Sequence, residues 1–108
     1  MERPRTFEEF WPFYVAQHRL PATRTLHFLG THLGLAAALL GFVVSPWLFA
    51  AAPAVGYGLA WVGHFFFEKN RPATFTYPLW SLRGDFRMLR LTWAGKMDAE
   101  VARLAGRA

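Results

Sequence analysis

Residues 25–67, TLHFLGTHLGLAAALLGFVVSPWLFAAAPAVGYGLAWVGHFFF, run for 43 positions without a Lys, Arg, Asp or Glu. Wound as helix at about 1.5 Å per residue this is roughly 65 Å, two crossings of a hydrocarbon layer about 30 Å thick. Ser45-Pro46 and Pro53 supply the break, and Trp47 stands where an interfacial aromatic belongs. The stretch therefore predicts an all-α fold built on a membrane helical hairpin, with transmembrane spans over about 25–44 and 47–67. It is too long for the apolar region of a signal peptide, and acidic residues precede it. Ala50-Ala51-Ala52 then reads as small helix residues, and no cleavage is expected.

The remaining composition agrees with that solvent. Of 108 residues 54% are hydrophobic, with eleven Phe and five Trp, whereas a soluble domain of this size buries only about 60–70% of its unfolded surface. The chain reads as one domain, 1–108. It has no cysteine, which excludes disulfides, zinc ribbons, iron–sulfur clusters and thiol nucleophiles. Twelve Lys and Arg against seven Asp and Glu give a net charge of +5, placed almost wholly outside the apolar middle. A basic rim of this kind fits anionic membrane lipids and not nucleic acid. Arg19 and Arg24 precede the hairpin, Lys69 and Arg71 follow it, and the turn between has no charge. An integral membrane protein with both termini cytoplasmic is expected.

The flanks read as amphipathic helices. Residues 1–5 form a basic tail, and Thr6 with Glu9 matches a capping box. Phe7, Phe10, Trp11, Tyr14 and His18 then share one side of a helix over about 6–18, which Pro12 should kink or restart. Arg19 to Thr23 reads as a turn. Beyond Pro72, residues 73–78 read as an extended connection. Leu79, Leu82, Phe86, Leu89 and Trp93 follow at helical spacing beside Arg83, Arg87 and Arg90, as in an interfacial helix over about 79–95 or a helix packed on protein. Asp85 reads as a solvated charge. Asp98 is placed to cap a short last helix through Leu104, ahead of a loose Gly106-Arg107-Ala108 end.

Gly30, Gly34, Ala38 and Gly41 on the first span, and Ala52, Gly56 and Ala60 on the second, are spaced to let two backbones approach closely. Each stripe points to a histidine, His27 or His64, and a hairpin brings these to one membrane depth. His18 arrives at that depth from the N-terminal helix. Glu68, four residues after His64, would share its helix face about 6 Å away. His32 lies about 140° around the helix from His27 and some 7 Å deeper, outside the cluster. Three imidazoles and a carboxylate with positions left open suit non-haem Fe(II) and O₂ chemistry, and zinc accepts similar ligands. Glu68 is a direct ligand, an outer-shell partner, or an ion-pair partner of Lys69 or Arg71. Two rival readings stand beside this one: a haem held axially by His27 and His64, and a hairpin adaptor without metal. No glycine-rich phosphate loop or nucleophile elbow is present, and Ser45 and Ser81 have no local base pattern.

The blocks FWPFYVAQHRLPATRTLHFLG (residues 10–30) and VGHFFFEKNRPATFTYPLWSLRGDFRM (residues 62–88) resemble the Mpo-like family of small membrane proteins, over about residues 6–93. Its characterised fungal member is an iron(II)-dependent dioxygenase of the endoplasmic reticulum that shortens 2-hydroxy fatty acids by one carbon. The resemblance implies Fe(II) as cofactor and a 2-hydroxy fatty acid and O₂ as substrates. It implies His18, His27 and His64 as catalytic metal ligands, with Glu68 a further ligand or an outer-shell residue. Lys69 or Arg71 would attract the substrate carboxylate, or would instead only anchor the hairpin to lipid headgroups.

Overall fold

The computed structural model describes residues 3–105, and every regular element among them is helical. The expected loose end at residues 106–108 and the first two residues of the basic tail lie outside the described residues. The chain divides into two compact units, one formed by Leu20–Lys69 and the other by the segments before and after it.

Leu20–Lys69 is the hairpin. Helix α2 spans Pro21–Val43 and α3 spans Leu48–Val62, continued by a π-helical turn over Gly63–Glu68. Both helices are long and apolar enough to cross a membrane. α2 begins four residues before the uncharged run, with Pro21 in its first turn, where the missing N–H costs nothing. The charge gap therefore does not mark the helix end, and Arg24 is already helical. Ser45-Pro46-Trp47 makes the turn, with the Leu48 N–H donating to the Ser45 carbonyl at 3.1 Å. Pro53 is not part of this break and lies inside α3, as membrane helices tolerate.

Burial in the hairpin is the reverse of a soluble protein's. Thr23, His27, Gly30, Gly34 and Gly41 are the buried residues of α2, while Leu33, Leu39, Phe42 and Val43 are exposed. Small residues make the helix contact, as the two stripes predicted. A Cβ on Gly30 would stand 2.9 Å from the Gly56 carbonyl oxygen, and one on Gly34 3.0 Å from that of Ala52. Helices that associate by close backbone packing and turn their large side chains outward are suited to lipid.

The second unit contains α1 (Phe7–Ala16), a 3₁₀ turn at Ala73–Phe75, α4 (Pro78–Trp93) and α5 (Met97–Ala105). Thr6 caps α1, its hydroxyl accepting the Glu9 N–H at 3.1 Å. Pro12 is held within the helix. α1 ends at Ala16 and not at residue 18, because the His18 N–H closes on the Val15 carbonyl at 3.0 Å, a tighter turn. Phe7, Phe10, Trp11, Tyr14 and Val15 form a core with Met88, Met97 and Ala73. The connection at 73–78 is thus not extended: the 3₁₀ turn tucks Ala73 into this core.

α4 shows two different sides. Ser81, Gly84 and Met88 are buried, whereas Leu79, Leu82, Phe86 and Trp93, the stripe read from the sequence, remain exposed. Gly84 lets Tyr14 approach, since a Cβ there would meet the Tyr14 ring at 2.9 Å. α4 stops at Gly95, whose φ of 71° is open to glycine and costly for other residues. Its N–H donates to the Thr92 carbonyl, and the Lys96 N–H to that of Leu91. Asp98, expected as the cap, falls within the first turn of α5, which begins one residue earlier at Met97.

Candidate functional site

In the hairpin, α2 carries His27 and the π-helical turn carries His64. Both are buried, and their rings meet edge to face with centroids 5.1 Å apart and planes at 87°. The His27 Nδ1–H donates to the Thr23 carbonyl at 3.3 Å. A carbonyl can only accept, so Nδ1 is the donor and the bond orients the ring. The turn around His64 is closed by Lys69, in left-handed conformation (φ 61°, ψ 42°), whose N–H donates to the His64 carbonyl. π-Helical turns inside helices occur frequently at functional sites.

Glu68, the last residue of that turn, reaches the start of α2. Its carboxylate accepts the Leu20 N–H, and Leu20 is the α2 N-cap residue, with no side-chain cap of its own. An anion there complements the positive end of the helix dipole. Lys69 is exposed. Arg71 places its guanidinium 5.2 Å from the Phe75 ring centroid, and its carbonyl accepts from Gln17 Nε2 at 3.1 Å.

His18 belongs to the second unit, just past the end of α1, and is buried. Its Nδ1–H donates to the Tyr14 carbonyl at 2.7 Å. The Tyr14 ring stacks on the imidazole with centroids 4.2 Å apart and planes at 26°. Tyr14 is fully buried, and its hydroxyl is hydrogen-bonded to Asp85. Burial pushes the Asp85 carboxyl up from its ordinary 3.8 to about 7, against the Tyr14 hydrogen bond, which lowers it. The Tyr14 hydroxyl is raised, by burial first and then by the Asp85 charge. Asp85 is therefore not the solvated charge its place on a basic helix implied. The only sequence signal was its position beside Gly84, on the small-residue side of α4.

His18, His27 and His64 are all buried and make up a group that could hold a metal ion. The donor chemistry fits, because imidazole nitrogens are ligands that both Fe(II) and Zn(II) take. Glu68 is not in that group. Neither is His32, whose Nδ1–H donates to the Phe28 carbonyl at 2.7 Å while its ring packs on Phe28. The same carbonyl bond at His32 shows that this bond orients an imidazole without selecting it for a metal.

The family described as 2-hydroxy-palmitic acid dioxygenase Mpo1-like matches residues 4–97. The chain belongs to the Mpo1-like family. This Mpo1-like chain is matched from before α1 to the start of α5, so the match includes the hairpin and all three buried histidines. Among curated proteins and among solved structures no significant match is found.

Proposed function

We propose that this Mpo1-like protein is a membrane-embedded Fe(II)-dependent dioxygenase that shortens 2-hydroxy fatty acids by one carbon. The observation that carries the reading is the group of three buried histidines in a chain of a family described by that activity. When bound, Fe(II) supplies redox chemistry with O₂ and a Lewis-acid contact for the hydroxy acid. The Tyr14 and Thr23 carbonyls accept from Nδ1–H of His18 and His27 and so orient both imidazoles. Lys69, exposed at the end of the hairpin, attracts the substrate carboxylate, with Arg71 following in the chain. The acyl chain stays in lipid along the exposed apolar sides of α2 and α3. In this reading both termini are cytoplasmic, supported by Arg19, Arg24, Lys69 and Arg71 flanking the hairpin.

The overall change balances without a second reductant. One 2-hydroxy acid and one O₂ give the acid one carbon shorter, one CO₂ and one water, with carbon 2 becoming the new carboxyl carbon. The test is protein reconstituted in lipid with added Fe(II) and 2-hydroxypalmitate. Equal amounts of O₂ consumed, CO₂ released and C15 acid formed support the reading, and no shortened acid with iron bound would contradict it.

A further inference from the structure

The hairpin contains a polar atom that neither its packing nor the metal ligands use. Thr23 is fully buried, and its Oγ1 has no hydrogen-bond partner among the described residues. A helical threonine ordinarily bonds back to the carbonyl one turn earlier, or turns its hydroxyl to water; this one does neither. Its position is specific. Thr23 lies one turn before His27 on the same side of α2, and its carbonyl is the one that orients His27. Its Cγ2 methyl is the atom nearest to where a Gly63 Cβ would stand, at 3.1 Å, and Gly63 adjoins His64. The methyl therefore serves the helix contact and the hydroxyl does not.

We propose that the Thr23 hydroxyl contacts the 2-hydroxyl group of the substrate and so helps the site distinguish a 2-hydroxy acid from an unsubstituted one. The inference rests on the dioxygenase reading and adds a specificity residue to it. A buried hydroxyl without a partner is costly, and Gly63, which packs on the Thr23 methyl, has no side chain to offer it one. A 2-hydroxy acid brings a small polar group close to a carboxylate and so supplies a partner for the O–H. Sites built to hydrogen-bond a substrate hydroxyl reject analogues that lack it, because the site's own polar atom is then left unpaired.

The experiment uses the full chain in lipid nanodiscs, loaded with Fe(II) without oxygen. It measures equilibrium binding of labelled 2-hydroxypalmitate and of palmitate, with iron content determined on the same samples. Thr23→Val keeps the methyl against Gly63 and removes the hydroxyl. It is expected to bind 2-hydroxypalmitate about tenfold more weakly, with palmitate binding and iron content unchanged. Thr23→Ser keeps the hydroxyl and is expected to retain the preference of the parent. A Val variant with the parent's preference overturns the proposal and leaves the dioxygenase reading standing, and so does a Ser variant that keeps iron but loses the preference. A parent protein with neither iron nor any preference for the hydroxy acid overturns both.

Discussion

Tyr14 holds His18 from two directions, its carbonyl accepting the imidazole Nδ1–H at 2.7 Å and its ring stacking on the imidazole at 4.2 Å. The hydroxyl of that tyrosine is in turn held by Asp85. An imidazole braced in this way has little rotational freedom to lose on binding a metal. Tyr14→Phe keeps the ring and carbonyl but releases the Asp85 anchor. It should weaken metal binding about tenfold, the lower end of the effect of removing outer partners, as measured by titration with Fe(II) or Co(II). Metal affinity equal to the parent's would show that Asp85 has no part in aiming His18.

Asp85 also predicts a pH dependence. The folded protein keeps its proton up to about pH 7, whereas the unfolded chain releases it near the ordinary value of 3.8. Between these limits the unfolded state binds fewer protons. The Asp85 contribution to stability therefore falls as pH rises from about 4 to about 7, and is level above. Asp85→Asn should remove this slope, read as the difference between the two proteins' melting temperatures in detergent across that range. A constant difference would contradict the burial assigned to Asp85.

The hairpin contact gives a paired steric test. A methyl at Gly30 meets the Gly56 carbonyl oxygen at 2.9 Å, while one at Gly58 meets nothing within 4 Å. Gly30→Ala should destabilise by about 1–3 kcal/mol as an overpacked contact and, by spreading the helices one turn from His27, lower metal affinity. Gly58→Ala should leave melting temperature and metal binding unchanged. Equal behaviour of the two variants would mean that the helices do not pack through Gly30.

Glu68 separates a helix cap from a metal ligand. Glu68→Gln removes the anion at the start of α2 and should cost about 0.3–1 kcal/mol of stability, with iron content preserved. Loss of iron comparable to that of a histidine variant would make Glu68 a direct ligand after all.

Much of the hairpin was legible because its signals are coarse and physical. The absence of charge from Thr25 to Phe67 marks the two apolar helices, the Gly30–Gly34 and Ala52–Gly56–Ala60 spacings mark the contact, and together they set His27 beside His64. The Thr6 cap was legible for the same reason, a side chain with one favourable place to bond. The π-helical turn was not. It changes only which backbone groups pair, so GHFFFE reads as α-helix. Asp85 was hidden because α4 has a conspicuous apolar stripe, Leu79 to Trp93, that is not its buried side. The buried side is made of Ser81, Gly84 and Met88, a pattern too quiet to outweigh it. Pro53 misled in the other direction, since a proline that would break a soluble helix is accommodated in α3.

The most direct test of the central claim is the iron content of purified protein compared across four histidine variants. The account predicts about one Fe(II) per chain in the parent and in His32→Ala, and loss of iron together with 2-hydroxypalmitate turnover in His18→Ala, His27→Ala and His64→Ala. Iron and activity retained in His64→Ala, or lost equally in His32→Ala, would contradict it.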